Sequence, residues 1–258
     1  ILLSGISMVV RQSALGMSSR FTLAVYSRIA NALLAEVYTQ VNKDLTAAAG
    51  LLTTARSDKS NFNLSVVSGI QARVALTQQE WATAATKAAA ARAGYTLMST
   101  ADQFADGSAS WTNPEWMWGS SQIDDQTEYF TAFLAYISYN FNSTNIRTNP
   151  KLISRSLYNT MAANDLRRAL WVVTPTATNS VVPPGGTRVA YMNQKFKAKS
   201  DANSVGDIPY MRAAEMFLIE AEALGGTGAR AQALLDAVRD RVGLAPVPVS
   251  IPAILAER

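Results

Sequence analysis

Apolar positions in this chain of 258 residues recur mostly every three or four residues, the spacing of a helix rather than a strand. Over 21–52 the pattern predicts helix, broken into more than one piece. Val37, Val41, Leu45, Ala48 and Leu52 form its apolar stripe, and Gly50 with the polar run 56–63 ends it. Val67, Ile70 and Val74 then mark one face of a second helical segment. Thr77-Gln-Gln-Glu80 has the spacing of a capping box and predicts a new helix, with Trp81, Ala84, Ala88 and Ala91 as its inner stripe and Gly94 as its stop.

A second hairpin is predicted over 208–244. Met211, Ala214, Leu218 and Ala221 share a face, with Tyr210 and Phe217 beside them. Gly225-Gly226-Thr227-Gly228 makes the turn, Leu234, Val238 and Val242 answer from the partner helix, and Gly243 closes it. Alanine on facing positions lets helices approach closely, and each pair has about the length of a tetratricopeptide unit. The stretch 98–207 differs in kind. It is rich in Asn, Ser, Thr, Gly, Pro and aromatics, which predicts loops with short helices or strands.

The fold expected is therefore mainly α, with tetratricopeptide-like helical hairpins and an irregular loop-rich insertion, all in one domain. Its parts are an N-terminal helical segment (1–58), a first hairpin (59–97), the insertion as candidate ligand-binding region (98–207), a second hairpin (208–245) and a C-terminal segment (246–258).

Composition narrows the chemistry. There is no Cys and no His, which excludes thiol nucleophiles, Ser-His-Asp triads, Cys-based zinc sites and disulfides. The formal net charge is +4, but the cations are scattered. The densest groups, Arg167-Arg168 and Lys195/Lys197/Lys199, do not make the clustered basic face that nucleic acid requires. The apolar N-terminal stretch ILLSGISMVV lacks the flanks of a signal peptide and is too short to span a bilayer, so it reads as internal core.

Candidate chemistry lies in the insertion. Asp124, Asp125 and Glu128 could supply the two carboxyls of a glycosidase, but neighbouring acids on a polar loop more commonly face water. Glu215, Glu220 and Glu222 read as a solvated or salt-bridged helix face. Gly119-Ser120-Ser121 has no activating base. The Gly225–Gly228 run follows a helix and lacks the Lys-Ser/Thr of a phosphate loop. No catalytic, metal or cofactor site is expected.

The remaining signal is aromatic. Trp111, Trp116, Trp118, Tyr129, Phe130, Tyr136, Tyr139 and Phe141 crowd into a short stretch. Flat side chains can stack on the apolar faces of sugar rings while amides and carboxylates hold hydroxyls. They can equally build core, the expectation for at least one of Trp116 and Trp118. The candidate ligand-binding residues, chosen on chemistry and location alone, are Trp111, Asn113, Asp124, Tyr129 and Asn140.

The order of several motifs resembles the SusD/RagB family. RAAEMFLIEAEAL followed by LLDAVRDRVGL resembles its late helical repeat, and Val37-Tyr38 through Asp44-Leu45 to Leu51-Leu52 resembles its early one. Trp81-Ala-x-x-Ala84 with Ala88 and Gly94-Tyr95-x-Leu97 resembles a second repeat. Asn113-Pro114-Glu115 before Trp116-Met117-Trp118, Leu157-Tyr158 with Asn164-Asp165-Leu166-Arg167-Arg168, and Lys195-Phe196 follow in the family's order. Together they cover most of 37–258.

The resemblance implies an outer-membrane lipoprotein, exposed at the cell surface of Bacteroidetes. Such a protein captures a glycan or other nutrient, breaks no bond, needs no cofactor, and passes its ligand to a SusC-like TonB-dependent transporter. Membrane attachment would be through a lipid anchor absent from this chain. Family members also continue beyond Ile254-Leu-Ala-Glu257-Arg258 and separate the Tyr26–Leu34 helix from the Val37 segment, so a partial chain is expected. The alternatives are a helical-repeat scaffold for protein partners without a sugar site and, less favoured, a glycoside hydrolase.

Overall fold

The computed structural model describes residues 19–102, 112–176 and 185–258, with side chains from residue 32 onward except Gln126. The apolar stretch 1–10 lies outside the described residues. The chain forms two compact units, Ile1–Gly50 and Leu51–Arg258.

The first unit is dominated by α1 (Ser19–Leu51), one helix of 33 residues where the sequence reading expected more than one. No glycine or proline interrupts it before Gly50, so no break has a residue to nucleate it. Gln40 Nε2 donates to Asp44 Oδ1 one turn later at 2.7 Å. The expected stripe is not a buried seam: Val37 is 58% exposed, and Val41, Leu45 and Ala48 are half-buried.

The second unit runs, in chain order, through α2 (Leu64–Thr77), α3 (Trp81–Arg92), β1 (Trp116–Ser120), a 3-10 turn (Asp124–Gln126), α4 (Phe133–Ile137), α5 (Thr144–Thr148) and α6 (Arg155–Thr160). A second 3-10 segment (Leu166–Leu170), β2 (Trp171–Val172), β3 (Met192–Asn193), β4 (Ile208–Arg212), α7 (Ala213–Ala223), α8 (Gly228–Asp240) and α9 (Ile251–Glu257) complete it. Among the described residues no helix is long and apolar enough to cross a membrane.

Helix α2 starts where Asn63 Oδ1 accepts the Val66 N–H at 3.0 Å, satisfying one of the free amides of the first turn. The expected capping box does not form. Thr77 is the last residue of α2 and its hydroxyl bonds back to the Arg73 carbonyl, while the Glu80 side chain makes no cap. The chain reverses instead through Gln79 at φ 61°, with Gln79 N–H donating to Leu76 O and Glu80 N–H to Ala75 O. That bond pair is a Schellman closure, and a connection this short leaves no separate cap.

Ala72 and Ala75 of α2, Ala84, Ala88 and Ala91 of α3, and Ala213 of α7 build one buried cluster with Met117, Met211, Met216 and Ile219. The inner stripe of α3 is as predicted except at its first member. Trp81 is 46% exposed and lines a recess of about 470 Å³ with Glu222, Leu224 and Ile251. An interface spaced by methyl groups has no room for an indole, so Trp81 lies at its end. Phe217 packs against this cluster and against a second, in which Leu218 and Ala221 of α7 meet Ala231, Leu234, Leu235 and Val238 of α8 and Ile254 of α9.

The late hairpin begins one element later than its periodicity suggests. Tyr210 and Met211 belong to β4, which pairs antiparallel with β1 (Trp116 opposite Arg212, Trp118 opposite Met211, Ser120 opposite Ile208) through two irregular steps. Pro209 disfavours helix there, and the pairing satisfies the ribbon's backbone. Trp116 is fully buried, whereas Trp118 packs half-buried between Phe62 and Tyr210, each ring 4.9 Å away.

The three glutamates of α7 are all ion-paired. Glu215 takes Arg73 through both carboxylate oxygens at 2.7 and 2.6 Å. Glu220 lies between Arg92 at 2.7 Å and Arg230 at 2.8 Å, and Glu222 pairs with Arg258 at 2.6 Å. In the insertion, Tyr158 and Arg168 stack with the guanidinium 4.1 Å from the ring centre.

Candidate ligand-binding surface

Between β1 and α5 the chain turns tightly and presents four aromatic rings to solvent. Thr127 N–H closes the 3-10 turn on Asp124 O, and the Glu128 carbonyl then accepts from Thr131 and Ala132 N–H, leading into α4. Tyr129, Phe130, Phe133 and Tyr136 are between 41% and 56% exposed, well above what core packing leaves. Such a group of exposed rings is a feature that a soluble surface rarely carries without a use.

The platform rests on a buried layer of Leu134, Ala135, Phe141 and Ala198. Tyr129 meets the edges of Phe130 at 4.7 Å and of the fully buried Phe141 at 5.0 Å. Phe133 is edge-on to Phe196 at 5.8 Å. These contacts fix ring orientation, which lowers the entropy lost on binding a flat partner.

Polar groups frame the rings. Asn203 Nδ2 donates to Asp124 Oδ1 at 3.2 Å, and Ser204 Oγ donates to the Glu128 carbonyl at 3.4 Å. Those two bonds hold the 203–204 loop against the Asp124–Tyr129 segment. Asn140 works from beneath: its Nδ2 donates to Ala198 O at 2.9 Å and its Oδ1 accepts Ala198 N–H at 2.8 Å. One amide side chain thus pairs with both backbone groups of a residue 58 positions away, as a neighbouring strand would.

The structure therefore brings Asp124 and Tyr129 together at the surface with Asn140 below them. Asn113 lies elsewhere, in the turn entering β1, where its Oδ1 accepts Glu115 N–H at 2.9 Å and its carbonyl accepts Trp116 N–H at 3.1 Å and the Lys59 ammonium. Trp111 lies outside the described residues. Phe196, named above only as part of a family motif, joins the surface, and so do Asn203 and Phe133, which were not singled out. Their only sequence signal is that same loop-rich composition, because the contact between residues 124 and 203 spans 79 positions.

Asp124, Asp125 and Glu128 are all exposed. Being exposed, none of these three carboxyls has the enclosed apolar setting in which a glycosidase holds its general acid protonated. Among the described residues no group of three or more acids is placed to hold a metal ion.

A family model described as the SusD family matches residues 76–255, most of the chain, and the chain belongs to that family. It is similar to a SusD-like carbohydrate-binding protein from Bacteroides vulgatus, at 27% identity and a TM-score of 0.72, over 86% of this chain and 48% of that one. It is also similar to a laminarin-binding SusD-like protein, at 28% identity and a TM-score of 0.68, over 87% of this chain and 57% of that one. Surface glycan-binding protein A from Bacteroides thetaiotaomicron in complex with laminarihexaose shares the fold, with 18% identity, a TM-score of 0.63, and 86% and 57% of the two chains covered. The chain thus spans about half the length of these solved structures. No curated protein matches it. The mainly α, SusD-like fold expected from the motif order is the fold observed.

Proposed function

We propose that this chain is the glycan-binding part of a cell-surface nutrient-capture protein, which binds an oligosaccharide without breaking it. The carrying observation is the exposed platform of Tyr129, Phe130, Phe133 and Tyr136 beside the Asp124–Asn203 pair. Rings lying on a braced layer supply the stacking area, and the carboxylate and amide supply the hydroxyl partners that set orientation. Membership of the SusD family and the carbohydrate-binding names of similar structures support this reading. In the whole protein the ligand passes to a SusC-like TonB-dependent transporter in the outer membrane, where a lipid anchor holds the binding protein.

Tyr129 and Asp124 touch the ligand, whereas Asn140 shapes the surface from below. Titration calorimetry against a panel of polysaccharides and oligosaccharides, laminarin included, tests this. A bound glycan whose affinity falls about tenfold or more in Tyr129→Ala supports the proposal, and Trp111→Ala and Asn113→Ala belong in the same series. Absence of binding across the panel, or binding indifferent to Tyr129→Ala, refutes it. Reducing sugar released from a bound glycan, and lost in Asp124→Asn, would establish a hydrolase instead.

A further inference from the structure

Four cations from four segments gather where the insertion meets the last hairpin. Arg167 comes from the second 3-10 segment, Lys195 from just after β3, Arg212 from the end of β4, and Arg241 from just past α8. Backbone bonds bring them together: Leu166 N–H to Val242 O at 3.0 Å, Gln194 N–H to Leu170 O at 2.7 Å, and Ala213 N–H to Glu115 O at 2.9 Å.

Among the described residues, carboxylates answer two of the four. Asp165 holds Arg167 at 2.7 Å, Glu257 reaches Arg167 at 3.0 Å but is shared with Arg239, and Glu115 holds Arg241 at 2.6 Å. Lys195 and Arg212, both half-buried, have neither an ion pair nor a side-chain hydrogen bond among the described residues. The Lys195 ammonium lies over the face of Phe196, 5.4 Å from the ring centre. The charges that act on it are Arg212 and Arg167, and the same two arginines act on Arg241.

Two buried donors in this neighbourhood also lack acceptors: Nε of Arg241 and the indole Nε1 of Trp116, the residue opposite Arg212 in the β1–β4 ladder. Like charges held together away from water are unfavourable unless an anion joins them. Burial, and then the neighbouring Arg212 and Arg167, push the Lys195 ammonium below its ordinary pKa, the direction expected of a cation with no counter-charge.

We propose that Lys195 and Arg212, backed by Arg167 and Arg241, form a binding site for an oxyanion, a carboxylate or sulfate group. The guanidinium forks suit a two-oxygen acceptor and the ammonium adds a point charge. Such a group arrives either on an acidic sugar or as a free inorganic anion. The site rests on this charge balance and stands whether or not Tyr129 stacks on a sugar.

The test is a titration of the purified chain with sodium sulfate at constant ionic strength, balanced with chloride, followed by tryptophan fluorescence and by Tm. A saturable response to sulfate that chloride does not give is expected. It should weaken at least tenfold in Lys195→Met, persist in Lys195→Arg, and weaken in Arg212→Gln. Equal behaviour in sulfate and chloride, or an undiminished response in Lys195→Met, overturns the proposal, and so does loss of the response in Lys195→Arg when that variant keeps the parent Tm. Digalacturonate displacing sulfate at lower concentration than sulfate itself requires supports an acidic sugar as the source; the reverse order supports a free anion. Neutral glycans report separately on Tyr129, so failure of one site is distinguishable from failure of the other.

Discussion

The carboxylate of Glu115 and the guanidinium of Arg241 meet at 2.6 Å across 126 positions of sequence. Glu115 is fully buried, and the oxygen that takes Arg241 also accepts Met98 N–H at 2.9 Å. The entry to β1 is thereby tied both to the chain leaving the first hairpin and to the end of α8. The ion pair positions the loop-built insertion on the helical frame.

Glu115→Ala should therefore cost about 3–5 kcal/mol, because it leaves the Arg241 cation buried and unanswered. Urea unfolding measures this. In a double-variant cycle, Glu115→Leu with Arg241→Met should cost less than the sum of the single changes. Simple additivity would show that the pair does not couple the two regions.

The turn between α7 and α8 offers a matched comparison. Gly225 and Gly226 both take positive φ, 76° and 63°. A Cβ on Gly225 meets nothing, but one on Gly226 would stand 2.7 Å from Ile251 N and 2.8 Å from Ser250 C, which are backbone atoms that cannot swing away. Gly225→Ala should cost about 1–2 kcal/mol for its backbone conformation alone, and Gly226→Ala more, by a lower urea midpoint. Equal costs would contradict the close approach of α9 to this turn.

Asn140→Ala removes both bonds to the Ala198 backbone and should destabilise by about 1–3 kcal/mol. Hydrogen exchange at the Ala198 amide should accelerate, and the 203–204 loop that frames Asp124 should loosen with it. If protection at Ala198 is unchanged, Asn140 is not what holds that segment.

Lys195 gives the stability a definite sign of pH dependence. Burial, followed by Arg212 and Arg167, lowers its folded pKa, while in the unfolded chain it titrates at its ordinary 10.5. Between those two values the unfolded state binds more protons, so folding is favoured progressively as pH rises through the window. Relative to Lys195→Met, the parent should gain urea resistance as pH rises from its lowered folded pKa to 10.5 in chloride buffer. Parallel curves for the two proteins would rule out this contribution.

Much of the scaffold was legible because helix-facing alanines carry the same spacing in sequence and in space. Ala84, Ala88 and Ala91 are read from periodicity and are all fully buried. The failures lie where neighbours override local pattern. Met211 fits the helical stripe yet sits in β4, since β1 offers it a partner ladder. Trp81 fits the α3 stripe yet falls at the end of an interface too narrow for it. The candidate surface was legible only as an aromatic density around Tyr129. The partnership of Asp124 with Asn203 joins segments 79 positions apart in the chain, and single-sequence periodicity carries no record of such a pair.

Three helices of the second unit meet largely through methyl groups, and alanine has no rotamer to change. A frame made this way has one way of packing and little side-chain freedom to lose. In the proposed function, fitting a glycan then falls to the loop-built surface around Tyr129 rather than to this helical support.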